Sequence, residues 1–176
     1  MLKSAVELEF GYNKNILPDT IQQEKILNIP ISITSMTAHS IPSGTSFNRQ
    51  VWLELTVSNN DFVIFQSGNV NNSEQLNFND PNLLLFSSYL IDEEGNFTNN
   101  ITEIYNIENN SLLAYSSRVS NIEVLIPNDL SGNLNIVARI LFRPFNPEFI
   151  MNHHPEFIEN LPIYEIDSIT KTVEIN

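Results

Sequence analysis

Residues 49–57 constrain the fold more firmly than any other stretch: Val51, Leu53, Leu55 and Val57 fall on one side of an extended chain, and Trp52, Glu54 and Thr56 on the other. Strand side chains alternate between faces with a period of two, so this run buries a continuous apolar face only as a β-strand. The same period recurs in Val6, Leu8 and Phe10, in Ile29, Ile31 and Ile33, in Ile122, Val124 and Ile126, and in Leu134, Ile136, Ala138, Ile140 and Phe142. Helical periodicity is scarce, which points to sheet throughout.

The punctuation between these runs is that of an antiparallel protein. A strand at 27–37 carries Pro30, which lacks an N–H and so belongs at a sheet edge or strand end. Ser58-Asn59-Asn60-Asp61 has hairpin chemistry and pairs 49–57 with a strand at 62–67. Residues 68–82 are polar and Asn-rich, a loop of unusual length and the first place to expect disorder. A nearly continuous apolar strand at 83–91 ends in the turn Asp92-Glu93-Glu94-Gly95-Asn96, and 97–107 returns beside it. Proline-led helical turns are expected at 147–150 and 155–159, before a last strand at 163–175. About eight to ten strands with one apolar and one polar face predict an all-β fold. The expected architecture is an antiparallel two-sheet β-sandwich, immunoglobulin-like or jelly-roll-like, with one or two short helical turns near the C-terminus. Residues 1–176 form a single domain on this reading.

Composition removes several function classes. With no cysteine the chain has no disulfides, no thiolate metal site, no cysteine nucleophile and no Cys-x-x-Cys-His haem attachment. A formal net charge of -13, with only eight Lys and Arg, repels phosphate backbones, so nucleic acid is not expected as a partner. No membrane span and no apolar signal-peptide core is evident, so the chain is expected to be either cytoplasmic or a piece of a longer one. Asn-x-Ser/Thr triplets begin at Asn71, Asn96, Asn100 and Asn109, as chance provides in an Asn-rich chain. The paired asparagines, such as Asn59-Asn60 and Asn99-Asn100, read as turns. Gly-x-Ser-x-Gly, His-Glu-x-x-His and phosphate-cradling glycine loops are absent and the carboxylates are scattered, so no enzyme is expected.

The densest cluster of special residues is His39-Ser40-Ile41-Pro42-Ser43-Gly44, a His-x-x-Pro-x-Gly corner leading into Arg49-Gln50-Val51-Trp52-Leu53. Together with Phe65-Gln66-Ser67-Gly68, the Asp92–Gly95 turn and the Arg143-Pro144-Phe145-Asn146-Pro147 segment with Phe149, it resembles the β-rich C-terminal domain that follows the haem modules in some multihaem c-type cytochromes. In that family a Gly-His-x-x-Pro-Thr-Gly-like corner precedes an Arg-x-x-Trp-Leu strand and a Phe/Tyr-x-Ser-Gly end. The similarity runs from about residue 26 to 175 and lies in the shared order of motifs. The chain departs from the family in lacking cysteine, and so is not a complete cytochrome: either it begins after the haem modules, or it is a member without them.

The resemblance implies a non-catalytic accessory or docking domain of an extracytoplasmic electron-transfer system, periplasmic or extracellular. Its implied partner is a haem-bearing cytochrome domain of the same or a separate polypeptide. No cofactor is bound covalently by this chain. His39 is the candidate axial ligand to a haem of the adjoining module, and Arg49 the candidate clamp for a haem propionate. The alternatives are a histidine bonded to its own loop and a surface arginine ion pair. Trp52 is read as a core plug, and Arg139 and Arg143 as neutralising nearby acids. His153-His154 and the Asp92–Asn96 turn are read as structural rather than as metal sites. The rival function is a stand-alone extracellular binding module, adhesin-like or carbohydrate-binding, in which Trp52 and the 68–82 loop matter more than His39.

Overall fold

A computed structural model describes residues 4–60, 62–98 and 100–176. Strands β1 (Val6–Phe10), β3 (Ile26–Ser35) and β10 (Ser117–Leu125) form an antiparallel sheet with β3 central. A larger sheet runs in the order β2 (Thr20–Ile21), β12 (Tyr164–Ile175), β11 (Gly132–Arg143), β4 (Gln50–Asn59) and β5 (Phe62–Ser67), and β6 (Leu85–Phe86) pairs with β4 at residues 51 and 52. The alternating apolar residues of both sheets meet in one core: Leu27, Ile29, Ile31 and Ile33 from one side, and Val51, Leu53, Leu55 and Val57 with Leu134, Ile136 and Ile140 from the other. Each such side chain contributes about 1.5–3 kcal/mol of hydrophobic stabilisation. The fold is all-β, with a short helix α1 (Pro147–His153) and a 3-10 turn (Pro155–Asn160) near the C-terminus, as the sequence led us to expect.

Pro30 is not at the sheet edge or strand end expected of it: it lies inside β3, the central strand, opposite Asn121 of β10. The ladder of β1 with β3 ends at the pair Phe10 and Ile31, and beyond it the Pro30 carbonyl accepts from Gly11 N at 2.8 Å. A strand residue's N and C=O point to the same side, so the ring nitrogen of Pro30 faces the side where β1 has stopped. The β4–β5 hairpin is antiparallel with Asn59 opposite Phe62; of its turn, Asn60 is left-handed and Asp61 lies outside the described residues, as does Asn99.

Three segments also differ from expectation. The apolar run 83–91 is not one strand: β6 stays on β4, whereas β7 (Ser88–Ile91) joins a separate sheet with β8 (Phe97–Thr98) and β9 (Asn106–Asn109). Ser87 lies between them, its hydroxyl donating to the Ser46 and Arg49 carbonyls at 3.1 and 3.0 Å, so the chain leaves one sheet for the other there. Nor does 97–107 return as one strand. Asn100 accepts from Thr102 N at 3.1 Å and donates to Glu103 at 2.7 Å, which winds a 3-10 turn over Ile101–Glu103.

The third correction concerns residues 68–82, which pack over the outer face of the larger sheet. Leu76 is buried there with Trp52, Leu85 and Leu141. The loop is tied down by Arg143, fully buried, whose Nη1 donates to the carbonyls of Asn72 (3.3 Å) and Glu74 (2.7 Å) while Nε bonds Gln50 Oε1 at 3.1 Å. Its guanidinium stands 5.3 Å from the Trp52 ring centroid. Burial pulls the Arg143 pKa down to about 10, so it remains charged at neutral pH. Arg143 therefore meets carbonyls, an amide and an indole rather than the acid expected of it. Arg139 does meet acids: it lies directly opposite Glu54 in the ladder, 2.6 Å away, with Glu165 at 3.8 Å. Among the described residues no helix is long and apolar enough to cross a membrane.

Two substitutions test this outer layer. At Gly68 φ is +68°, and an added Cβ would lie within van der Waals overlap of the Leu53 carbonyl oxygen, so Gly68→Ala is expected to cost about 2 kcal/mol or more in urea denaturation. Arg143→Met strips the Asn72 and Glu74 carbonyls of their donor, with an expected loss of about 3 kcal/mol and faster proteolysis within 68–84. Wild-type stability in both variants would refute this description of the loop.

Candidate functional site

The corner at 39–44 is rigid for reasons visible in its bonds. Ile41 and Leu112 exchange both backbone hydrogen bonds at 2.8 Å, and both side chains are buried. The Ile41–Pro42 peptide is cis, and Gly44 is left-handed at φ +71°. Arg49, at the start of the strand that follows, reaches back and donates Nη1 to the Ser43 carbonyl at 2.7 Å, its guanidinium covering Gly44. Arg49 and the corner are thus brought together by the chain itself, and Nη2 is left without a hydrogen bond among the described residues.

His39 stands exposed at the start of this corner. Its Nδ1 lies 3.1 Å from the Ser40 carbonyl, and the His39 carbonyl accepts from the Thr37 hydroxyl at 2.7 Å. A carbonyl only accepts, so in the neutral ring Nδ1 carries the proton and Nε2 presents its lone pair outward. That is the tautomer in which an imidazole Nε2 can serve as a metal ligand.

The other sequence candidates are structural in their surroundings. Trp52 is fully buried, and its Nε1 donates to the Gly68 carbonyl at 2.8 Å. His153 stacks on Phe149 with centroids 4.5 Å apart and bonds the Phe149 carbonyl at 3.0 Å, whereas His154 lies 3.4 Å from Glu156. The Asp92–Asn96 turn closes on itself, Asp92 Oδ1 accepting from Asn96 N at 2.8 Å.

A cleft of about 520 Å³ that sequence reasoning missed lies between the β7–β8–β9 sheet, the 68–84 loop and the start of α1. Phe47, Phe78, Tyr89 and Phe97 line it together with Glu108 and Glu148. Tyr89 and Glu108 are direct cross-strand partners, and the Tyr89 and Phe97 rings stand 5.1 Å apart. These residues come from segments up to 101 positions apart in sequence (47 to 148), so only the exposure of phenylalanines in polar surroundings could have hinted at them.

The fold is shared with part of a penta-haem cytochrome. The match is to a penta-heme cytochrome c552 from Thermochromatium tepidum, with TM-score 0.71 and 19% identity over 98% of this chain and 40% of that one. At this identity the likeness establishes the fold alone, and the chain spans well under half the length of its structural neighbour. A CARDB domain from Pyrococcus furiosus (TM-score 0.38, 11% identity, 97% of this chain and 85% of that one) and a beta-glucosidase from Listeria innocua (TM-score 0.40, 10% identity, 97% and 16%) superpose too poorly to carry an argument. No protein-family model and no curated protein matches the chain.

The bonding of the corner sets an expectation for Arg49→Ala. Loss of one charge-assisted hydrogen bond, about 1.5 kcal/mol, should speed hydrogen exchange at the Ser46 and Asn48 amides about tenfold, with β4 unaffected. Unchanged exchange would mean that the corner holds its shape without the guanidinium.

Proposed function

We propose that this chain is a non-catalytic docking domain of an extracytoplasmic multihaem electron-transfer system, periplasmic or extracellular. The observation that carries the reading is the fold shared over 98% of the chain with part of a penta-haem cytochrome c552. The corner supports it from within, because it offers an exposed imidazole on a braced loop.

In this reading the corner abuts a haem-bearing module of the same or a separate polypeptide, and bound haem supplies the one-electron carrier. His39 offers Nε2 to the iron, and its Nδ1 bond to Ser40 fixes the tautomer and the ring orientation. Arg49 braces the corner through Ser43 and offers Nη2 to a propionate. The bulk of the sandwich excludes water from the haem edge. The acidic exterior favours encounters with cationic redox partners and keeps the assembly soluble.

Replacing His39 with Ala in the haem-containing assembly tests the ligand role. The expected outcome is an altered Soret and visible spectrum at one haem, with a shifted midpoint potential. An assembly with the wild-type spectrum and potential would exclude His39 as a ligand.

A further inference from the structure

The aromatic cleft has a chemistry of its own, separate from the corner. The oxygens of its neutral polar side chains other than Tyr89 are already engaged within the protein. Gln50 accepts from Arg143, and the Ser87 hydroxyl donates to the Ser46 and Arg49 carbonyls. Ser88 is bonded to Ser46 and Asn109, while Asn146 accepts from Glu148 N and from Gln75. Thr98 is taken up by Glu103 and Asn100 N.

What remains for a ligand is narrow. Four aromatic rings face the space, and the carboxylates of Glu108 and Glu148 make no hydrogen bond or ion pair among the described residues. The Tyr89 hydroxyl is likewise unbonded, and burial, with Glu108 nearby, raises its pKa so that it stays neutral. Among the described residues no Lys, Arg or His lines the cleft. An anion would meet two carboxylates and no cation among the described lining residues. An alkylated ammonium group is matched on both counts, because ring faces attract a desolvated cation and the carboxylates neutralise it. The size, about 520 Å³, falls within the roughly 300–1,000 Å³ of small-molecule sites.

We propose that the cleft formed by Phe47, Phe78, Tyr89 and Phe97 with Glu108 and Glu148 binds a small organic cation of the quaternary or methylated ammonium class. The site does not involve His39, so it stands or falls independently of the docking reading.

The test is a calorimetric and NMR titration of the whole chain with choline and with its neutral tert-butyl isostere. Choline should bind saturably and shift the Tyr89 and Phe97 ring signals, and the isostere should bind at least about tenfold more weakly. Phe97→Ala and Glu108→Gln, both at exposed positions, should keep the wild-type circular dichroism and each weaken choline about fivefold or more. His39→Ala should leave choline affinity unchanged. Absence of saturable choline binding, equal affinity for the isostere, full affinity in both cleft variants, or loss of binding in His39→Ala would overturn the proposal.

Discussion

Strand β4 is buried on both faces, and the rest of the molecule is arranged to satisfy it. Its inward residues complete the sandwich core. Its outward residues Gln50, Trp52 and Glu54 stand directly opposite Arg143, Leu141 and Arg139 on β11. These three cross-strand pairs are polar, apolar and ionic in turn, and none of the β4 members is left to water. A tryptophan and two polar groups so placed demand a cover with carbonyls facing inward, and the 68–84 loop supplies it through Gly68, Asn72 and Glu74. The same constraint locates both surface features of interest, since the corner bears on the start of β4 through Arg49 and the cleft opens beside β6 and Gln50.

The buried guanidinium of Arg143 illustrates how a loop without regular structure is held. A single carboxylate would draw the guanidinium to one place, whereas carbonyls from two loop positions and an amide from β4 spread four of its five N–H donors over the elements that must be joined. Lysine has neither the fork nor the flat face that lies against Trp52, so the geometry is specific to arginine.

Period-two alternation was enough to read β1, β3, β4, β10 and β11 from the sequence, because each buries an unbroken apolar face and a shift of one residue would turn that face to solvent. It failed at 83–91, where an apolar run says that a segment is buried but not against which sheet, and where the chain changes sheets at Ser87. It failed at 68–82 because the loop is anchored largely by its carbonyls, which every residue possesses, with Leu76 and Val70 as scattered apolar contacts that show no period. The corner was legible since proline, glycine and histidine each carry a distinct backbone or ring property. The cleft was not, as its rings and carboxylates converge only after the segment before β4, the 68–84 loop, the β7–β8–β9 sheet and α1 have all folded together.

The docking reading joins a fold shared with part of a penta-haem cytochrome to an imidazole held outward on a braced loop. It makes a definite claim about the company this cysteine-free chain keeps in its native setting. The measurement that bears on it most directly is the intact mass and visible absorption of the native product purified from its source. A strong Soret band in a larger chain, or in a stable complex containing this one, is the predicted result. A colourless protein of about 20.1 kDa with no haem-bearing companion would contradict it.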